Sequence, residues 1–183
     1  MTDLSREDLE ALRFPTGRFR FPASPVALAT RADMLSAIAN TPAAMRRAVE
    51  GLNDEQLDTR YRPDGWTLRQ VVHHVADSHI NSYCRFKLAV TEDHPTIRGY
   101  DQDGWGAQTD ARTDDVERSL AILDSLHERW IGWLRTLTDE QWARTFHHPE
   151  AGDLVLDQLL ALYAWHGPHH VAHITGMRER MGW

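Results

Sequence analysis

The chain has 183 residues, of which 42% are hydrophobic and 26% charged, as in a globular protein that buries a sizeable core. Its formal net charge of −7, without a strongly basic cluster, argues against nucleic acid as a partner. No apolar run approaches the ~20 residues that cross a bilayer, and the N-terminus lacks the features of a signal peptide. Cys84 is the single cysteine, so we expect no internal disulfide and a cytoplasmic protein whose one domain spans residues 1–183.

The N-terminal part of the chain predicts an arm followed by a helix. Residues 1–26 show no sustained hydrophobic period, and we expect them to form an irregular arm packed on the body. From Leu28 to Leu52 apolar residues recur three to four positions apart, which is typical of an amphipathic helix. Pro42 interrupts this pattern, so it indicates either one kinked helix or two in sequence.

The second predicted helix has a sharp start. Pro63, Asp64 and Gly65 are turn-forming residues, and they are followed by Thr67, which can form a capping box with the glutamine three residues later. This pattern predicts a helix from about residue 68 to about residue 91, where the approaching Pro95 would end it.

Two further helices are predicted beyond a long connection. Residues 92–112 separate the second helix from the third, and loops of that length are usually functional or disordered. A third helix is expected after a cap at Thr113, and a fourth from about Asp153 or Leu154 to about Met181. No segment is predicted to be a strand.

A faint internal repeat supports a bundle of these helices. Residues 52–57 and 137–142 have similar sequences, and each is a capped short turn after one long helix and before a histidine-bearing one. The arrangement predicts two helical hairpins, and hence an all-α four-helix bundle.

Eleven histidines are the unusual feature of the composition, and two of them form a helical pair. His166 and His170 are four residues apart, so their side chains lie a turn apart on one face of the fourth helix. Leu159 and Leu162 upstream and His173 downstream share this face, which makes it a core-facing stripe. Buried imidazoles need polar partners, and a metal ion is the partner that this spacing favours over separate bonds to carbonyls and water.

The second helix offers a third imidazole. His74, Ser78, Asn81 and Arg85 form a polar line at helical spacing beside an apolar side. A solvent-facing edge would have the same pattern. If the line instead faces the histidine pair, His74 supplies one more ligand, and Asn81 and Arg85 become candidate contacts for an anionic substrate or thiol.

Other histidines and a proline qualify this interpretation. His73 and His79 point at least ~100° away from His74 around the helix, so we interpret them as structural or exposed. Pro168, between the paired histidines, removes one helical hydrogen bond, and we expect a kinked but continuous helix there.

Two runs of the sequence resemble a known family. Residues 65–79, from Gly65-Trp66-Thr67 to the histidines around His74, resemble the first histidine motif of the DinB/YfiT-like superfamily. Residues 163–175 resemble the second motif, and Arg13-Phe14-Pro15-Thr16-Gly17 is similar to its YfiT branch. The resemblance extends over nearly the whole chain, in order.

The resemblance implies a four-helix bundle with one Zn²⁺ or Ni²⁺ per chain on three histidines, which correspond to His74, His166 and His170. Members are catalogued as metal-dependent hydrolases, and relatives conjugate low-molecular-weight thiols such as bacillithiol to electrophiles. It also implies a homodimer and a small-molecule substrate.

Three neutral imidazoles would leave the ion an open position, which has two uses in enzymes. A bound thiol would be deprotonated and become a nucleophile, whereas a bound water would be activated for hydrolysis. Hydrolysis normally also needs a carboxylate base, for which Asp77, one turn from His74, is a candidate. No Asp or Glu lies on the stripe of the paired histidines, and this absence favours a thiol S-transferase over a hydrolase. A non-catalytic, metal-binding stress-response module is the alternative from another class.

Overall fold

The computed structural model describes residues 4–183, and its framework is a bundle of four long helices. The first three residues of the predicted arm lie outside the described residues. The elements in chain order are α1 (Arg6–Arg13), α2 (Leu28–Val49), α3 (Asp54–Leu57), α4 (Leu68–Thr91), α5 (Gln102–Gly106), α6 (Thr109–Thr113), α7 (Val116–Leu134), α8 (Asp139–Trp142), β1 (Thr145–His148), β2 (Gly152–Val155) and α9 (Leu156–Met181). The long helices α2, α4, α7 and α9 confirm the predicted four-helix bundle. No helix of residues 4–183 is long and apolar enough to cross a membrane.

The interior of the bundle is divided into layers. Helices α2 and α4 each pack against both α7 and α9. One apolar cluster, which we call the Trp130 cluster, includes Ile38, Phe86, Trp130, Leu134 and Leu159. The other, the Met45 cluster, includes Met45, Val75, Leu123, Ile174 and Met177. Along α7 and α9, histidines separate the residues of the two clusters. With two histidines of α4 they form the histidine layer, which consists of His74, His79, His127, His166, His170 and His173; all are buried except His166, which is half-buried.

The starts and ends of the helices follow local signals. The Thr67 side chain accepts a hydrogen bond from the backbone N–H of Gln70, and the Gln70 side chain accepts one from the N–H of Thr67, so α4 begins where the capping box predicts. The short helices α3 and α8, which lie in the two repeated segments, begin with capping boxes as well. Pro42 and Pro168 both lie inside continuous helices, so α2 is one helix and α9 runs through the paired histidines.

A two-stranded hairpin corrects the expectation that the chain has no strand. Strands β1 and β2 pair antiparallel, and the left-handed backbone of Gly152 (φ 77°) lies where the chain reverses. Phe146 and Leu154 face each other across the hairpin and are buried in the Trp130 cluster, while their neighbours are more exposed. The fourth helix therefore begins at Leu156, and the prediction of a start at 153 or 154 was wrong because those residues extend the hairpin. Four-residue strands are too short to give a clear alternating pattern.

The arm and the long connection are also more regular than predicted. Residues 6–13 form α1, which a capping box between Ser5 and Asp8 initiates. The connection of residues 92–112 contains α5 and most of α6. Thr113 ends α6, and Asp115 instead caps the third long helix. The arm packs on the body, as expected: the side chain of Asp157 on α9 accepts hydrogen bonds from the N–H of Val26 and from a buried arginine of α2.

Candidate metal centre

Three histidines from two helices converge at one point of the histidine layer. His74 comes from α4, and His166 and His170 come from α9. One ring nitrogen of each lies within 4.8 Å of the chosen nitrogens of the other two. The ring centroid of His74 is 5.4 Å from that of His166 and 4.8 Å from that of His170. The structure thus brings together the three residues that the sequence singled out.

A close approach of α9 to α2 holds the paired histidines in this position. Gly167 lies next to His166 and faces Thr41 of α2, and a Cβ added at residue 167 would lie 2.2 Å from Thr41 Oγ1. Only glycine therefore allows the two helices to pack this closely without a shift. The four-residue spacing of His166 and His170 is kept because α9 remains helical through Pro168.

Burial makes these imidazoles neutral. Burial, followed by the nearby His173 and His169, lowers the pKa of His74 to about 3. Burial also holds the pKa values of His166 and His170 well below the usual value, and the neighbouring histidines lower them further. A neutral imidazole has a nitrogen lone pair to offer, so this donor set fits a divalent transition-metal ion that prefers nitrogen ligands.

A hydrogen-bonded chain of histidines extends from His166 to the far side of the layer. His166 Nδ1 lies 3.1 Å from His79 Nε2, and His79 Nδ1 lies 2.7 Å from His127 Nε2. The chain ends where His127 Nδ1–H donates to the carbonyl oxygen of Ile38 at 2.8 Å. The expectation that His79 is structural or exposed missed this contact, since His79 is 0% exposed and touches a candidate ligand.

A shorter chain extends from His170. Its Nδ1 lies 3.3 Å from His173 Nδ1, and His173 Nε2–H donates to the carbonyl oxygen of Arg13 at 3.2 Å. His73, by contrast, points to α7, where its Nδ1 lies 2.7 Å from Ser119 Oγ, so it is structural as predicted.

The three histidines open onto a cavity of about 410 Å³. Its remaining wall comes from the arm, from the turn before α4, from α5 and from α9. These residues are Arg13, Phe14, Tyr61, Arg62, Asp64, Gly65, Trp66, Gln102, Asp103, Trp165, His169 and His173. Aromatic rings crowd the ligands, with the Trp66 ring centroid 4.5 Å from that of His74. The sequence patterns did not predict most of this wall, although the Pro63-Asp64-Gly65 turn and the Arg13-Phe14 pair of the arm were visible signals.

The three candidate catalytic residues lie outside this cavity wall. Asn81 Nδ2–H donates to the backbone carbonyl of Asp77, and a guanidinium N–H of Arg85 donates to the carbonyl of Arg98. Asp77 is half-buried, and burial, together with the charge of Asp110, raises its pKa to about 6. The member of the polar line that approaches the candidate ligands is Ser78, whose Oγ lies 3.4 Å from His166 Nε2.

Comparisons with known proteins agree with this geometry. The model of the DinB superfamily matches residues 37–174. YfiT of Bacillus subtilis is 47% identical over 173 residues, which are 94% of this chain and 97% of that protein. A Bacillus mycoides protein, provisionally named a metal-dependent hydrolase, is 46% identical over 175 residues, which are 96% of this chain and 100% of that protein.

A solved structure of the Bacillus subtilis protein has the same fold. It matches with a TM-score of 0.91 and 47% identity, and the match covers 94% of this chain and 99% of the other. That structure is described as a probable metal-dependent hydrolase with an unusual four-helix bundle topology. In sequence and in fold, this chain belongs to the DinB superfamily and is YfiT-like.

Proposed function

We propose that this protein is an enzyme that uses one divalent cation, Zn²⁺ or Ni²⁺, held by His74, His166 and His170. The observation that carries the proposal is the convergence of three neutral imidazoles, two buried and one half-buried, at the wall of a cavity. Structural zinc sites are usually closed by four protein ligands, often cysteines, whereas three-histidine sites with an open position are typical of catalysis. The names of the relatives, which describe metal-dependent hydrolases, support metal dependence.

The substrate would be a small molecule that enters the cavity beside these histidines. When bound, a divalent cation on three imidazoles supplies a Lewis acid that favours the deprotonated form of a thiol or of water. The chain's own residues provide the enclosure. Rings such as Trp66 and Phe14 limit the access of bulk water, and the guanidinium groups of Arg13 and Arg62 place positive charge in the wall.

We further propose that the reaction is transfer of a low-molecular-weight thiol of the bacillithiol type to an electrophile. The support is the character of the wall, in which aromatic rings and further imidazoles lie next to the three histidines. The two carboxylates of the wall, Asp64 and Asp103, are exposed. A general base for hydrolysis must reach the attacking water directly or through one further water, whereas a thiolate needs no such base.

Hydrolysis is the second candidate, and a specific observation favours it. Asp64 and Asp103 do line the cavity, although neither lies on the helices that carry the histidines. The relatives' names favour this reading as well.

Cobalt substitution separates the two reactions. If a thiol is the cosubstrate, adding it to the cobalt form produces the near-ultraviolet band typical of sulfur ligation, and Cys84→Ser does not remove that band. The matched chemical test is conjugation to a chromogenic electrophile. If the spectrum ignores thiols while an ester or amide is turned over in a metal-dependent way, the hydrolase is the correct assignment.

We also propose that the protein forms a homodimer. The arm and the segment that contains α5 expose large apolar side chains, among them Phe21 at 41% and Trp105 at 45%. Sedimentation at tens of micromolar should give twice the chain mass. A monomer at that concentration would contradict this proposal and leave the metal site unaffected.

A further inference from the structure

Two backbone carbonyls lack their usual helical donors, and each is the end of a histidine chain. The carbonyl of Ile38 would normally accept the N–H of residue 42, but residue 42 is a proline and has none. Arg13 is the last residue of α1, where carbonyls have no partner within the helix. His127 donates to the first carbonyl and His173 to the second.

A carbonyl fixes which nitrogen of its histidine carries the proton. A carbonyl oxygen can only accept, so the nitrogen that faces it must be N–H. A neutral imidazole has one N–H, and its other nitrogen is therefore an acceptor. His127 is 3% exposed, and burial lowers its pKa to about 4, so it is neutral at pH 7. Its proton lies on Nδ1, and its Nε2 must accept.

The same reasoning applies to each contact of the longer chain, which ends at the candidate ligand His166. Because His127 Nε2 accepts, His79 must donate from Nδ1 across the 2.7 Å contact, and its Nε2 must then accept. His166 must in turn donate from Nδ1 across the 3.1 Å contact. Reversing every bond would place a lone pair of His127 against the lone pairs of the Ile38 carbonyl.

The shorter chain gives the same result for the second ligand of α9. His173 donates from Nε2 to Arg13, so its Nδ1 accepts. His170 therefore donates from Nδ1 across the 3.3 Å contact. His166 and His170 are thus both held in the Nδ1–H tautomer, although a histidine side chain in water prefers the Nε2–H tautomer.

We propose that the carbonyls of Ile38 and Arg13 act through His79, His127 and His173 to hold the Nε2 lone pairs of His166 and His170 ready for a cation. These three histidines are positioning residues, since none is among the three converging ligands. The inference rests on the proposed function only in that the lone pairs serve a metal ion. Partners that orient metal-binding histidines in this way typically contribute 10–100-fold to metal affinity.

The chains end at carbonyls, which cannot take up and release a proton at neutral pH. They therefore fit a fixed tautomer better than a route by which protons leave the site. The longer chain also stays inside the bundle, since His79 is 0% exposed.

The direct test uses the metal-free, ¹⁵N-histidine-labelled protein. Long-range ¹H–¹⁵N correlation spectra distinguish the two tautomers of each ring. We expect Nδ1–H at His79, His127, His166 and His170, and Nε2–H at His173. An Nε2–H signal at His166 or His170 would overturn the proposal. This NMR measurement requires neither a variant nor an activity assay, so its outcome is independent of the proposed function. The proposed function fails instead if the unaltered protein binds no metal.

Variants test whether each chain acts on its own ligand. His127→Phe should release the tautomer of His166 and leave that of His170, and His173→Phe should do the reverse. Each should weaken Zn²⁺ binding by about 10–100-fold in competition with a chromogenic chelator. His73→Phe is the matched control, because it removes a buried histidine that also faces a carbonyl, and it should change affinity by less than about twofold.

His127→Gln keeps the variant test informative if His127→Phe does not fold. The amide oxygen of glutamine can accept from His79, so this variant should retain the His166 tautomer and much of the affinity. Unchanged Zn²⁺ affinity in a folded His127→Phe protein, or equal losses in His73→Phe and His127→Phe, would show that the chains do not position the ligands.

Discussion

The Met45 cluster and the histidine layer are neighbours along the same four helices, but they are stabilised differently. In the Met45 cluster, side chains such as Leu123 and Val75 gain free energy by leaving water, wherever a shape-matched neighbour is present. The histidine layer is also buried, apart from the half-buried His166, but each imidazole there needs a polar partner in one particular direction. The apolar clusters hold the helices together, whereas the polar layer depends on the direction of its hydrogen bonds and on the protonation state of its imidazoles.

The largest expected effect comes from removing one of the three candidate metal ligands of the histidine layer. Protein prepared without chelator should carry about one Zn²⁺ or Ni²⁺ per chain, and His74→Ala, His166→Ala or His170→Ala should each remove most of it, because two imidazoles bind an ion weakly. Metal analysis of the purified variants measures this. His73→Ala and His169→Ala are the controls, and the assignment of ligands is wrong if they lose the ion while the first three keep it.

A second change breaks the Met45 cluster and leaves the layer intact. Leu123→Ala empties space at a residue that is 0% exposed, and we expect the free energy of unfolding to fall by about 2–5 kcal/mol. Urea unfolding measures this loss. Metal content per folded chain should stay unchanged, and a lost ion would mean that the cluster and the layer are not separable.

Removal of the metal should have a smaller effect on stability. An ion that binds only the folded protein adds about 3 kcal/mol when its free concentration is a hundred times its dissociation constant. Chelated protein should therefore melt at a lower temperature but keep its helical circular dichroism below that temperature, since both apolar clusters remain. Unfolding on chelation alone would favour the alternative of a metal used as a staple in a non-catalytic module.

How much of the fold and of the site the sequence predicts depends on whether the signal is local. The apolar stripes, the Thr67 cap and the spacing of His166 and His170 are local patterns, and the bundle and the converging histidines follow from them. The contact between His79 and His127 joins residues 48 positions apart on different helices, and no local period encodes it. The hairpin was missed for a different reason, because strands of four residues fall below the length at which a period can be recognised.

Low pH should destabilise the folded protein through the histidine layer and not through the two apolar clusters. The pKa of His127 is about 4 in the folded protein, against about 6.5 when unfolded. Below pH 6.5 the unfolded chain therefore binds more protons, so stability falls with decreasing pH until the folded pKa is reached. Between pH 7.5 and pH 5, the metal-free protein should lose about 2 kcal/mol more than His127→Gln, which cannot titrate. Equal losses in the two proteins would show that His127 is not held neutral.

The smallest expected effect comes from Asp77, which lies beside the histidine layer but outside the cavity wall. Burial and the charge of Asp110 raise its pKa to about 6, so the folded protein binds the proton more tightly than the unfolded chain does. Above pH 6 the ionised carboxylate therefore destabilises the fold, and Asp77→Asn should stabilise it by about 1 kcal/mol at pH 8 after allowance for solvent screening. This gain should fade as the pH falls from 6 towards the unfolded pKa of about 3.9, below which Asp77 is protonated in both states. Unfolding measured at pH 8 and pH 4.5 gives the two values.

The activity of Asp77→Asn should change by less than about twofold, whereas loss of a general base would lower it by about 10²–10⁴-fold. A loss of that size, with the metal retained, would make Asp77 the base of a hydrolase and would overturn the preference for thiol transfer.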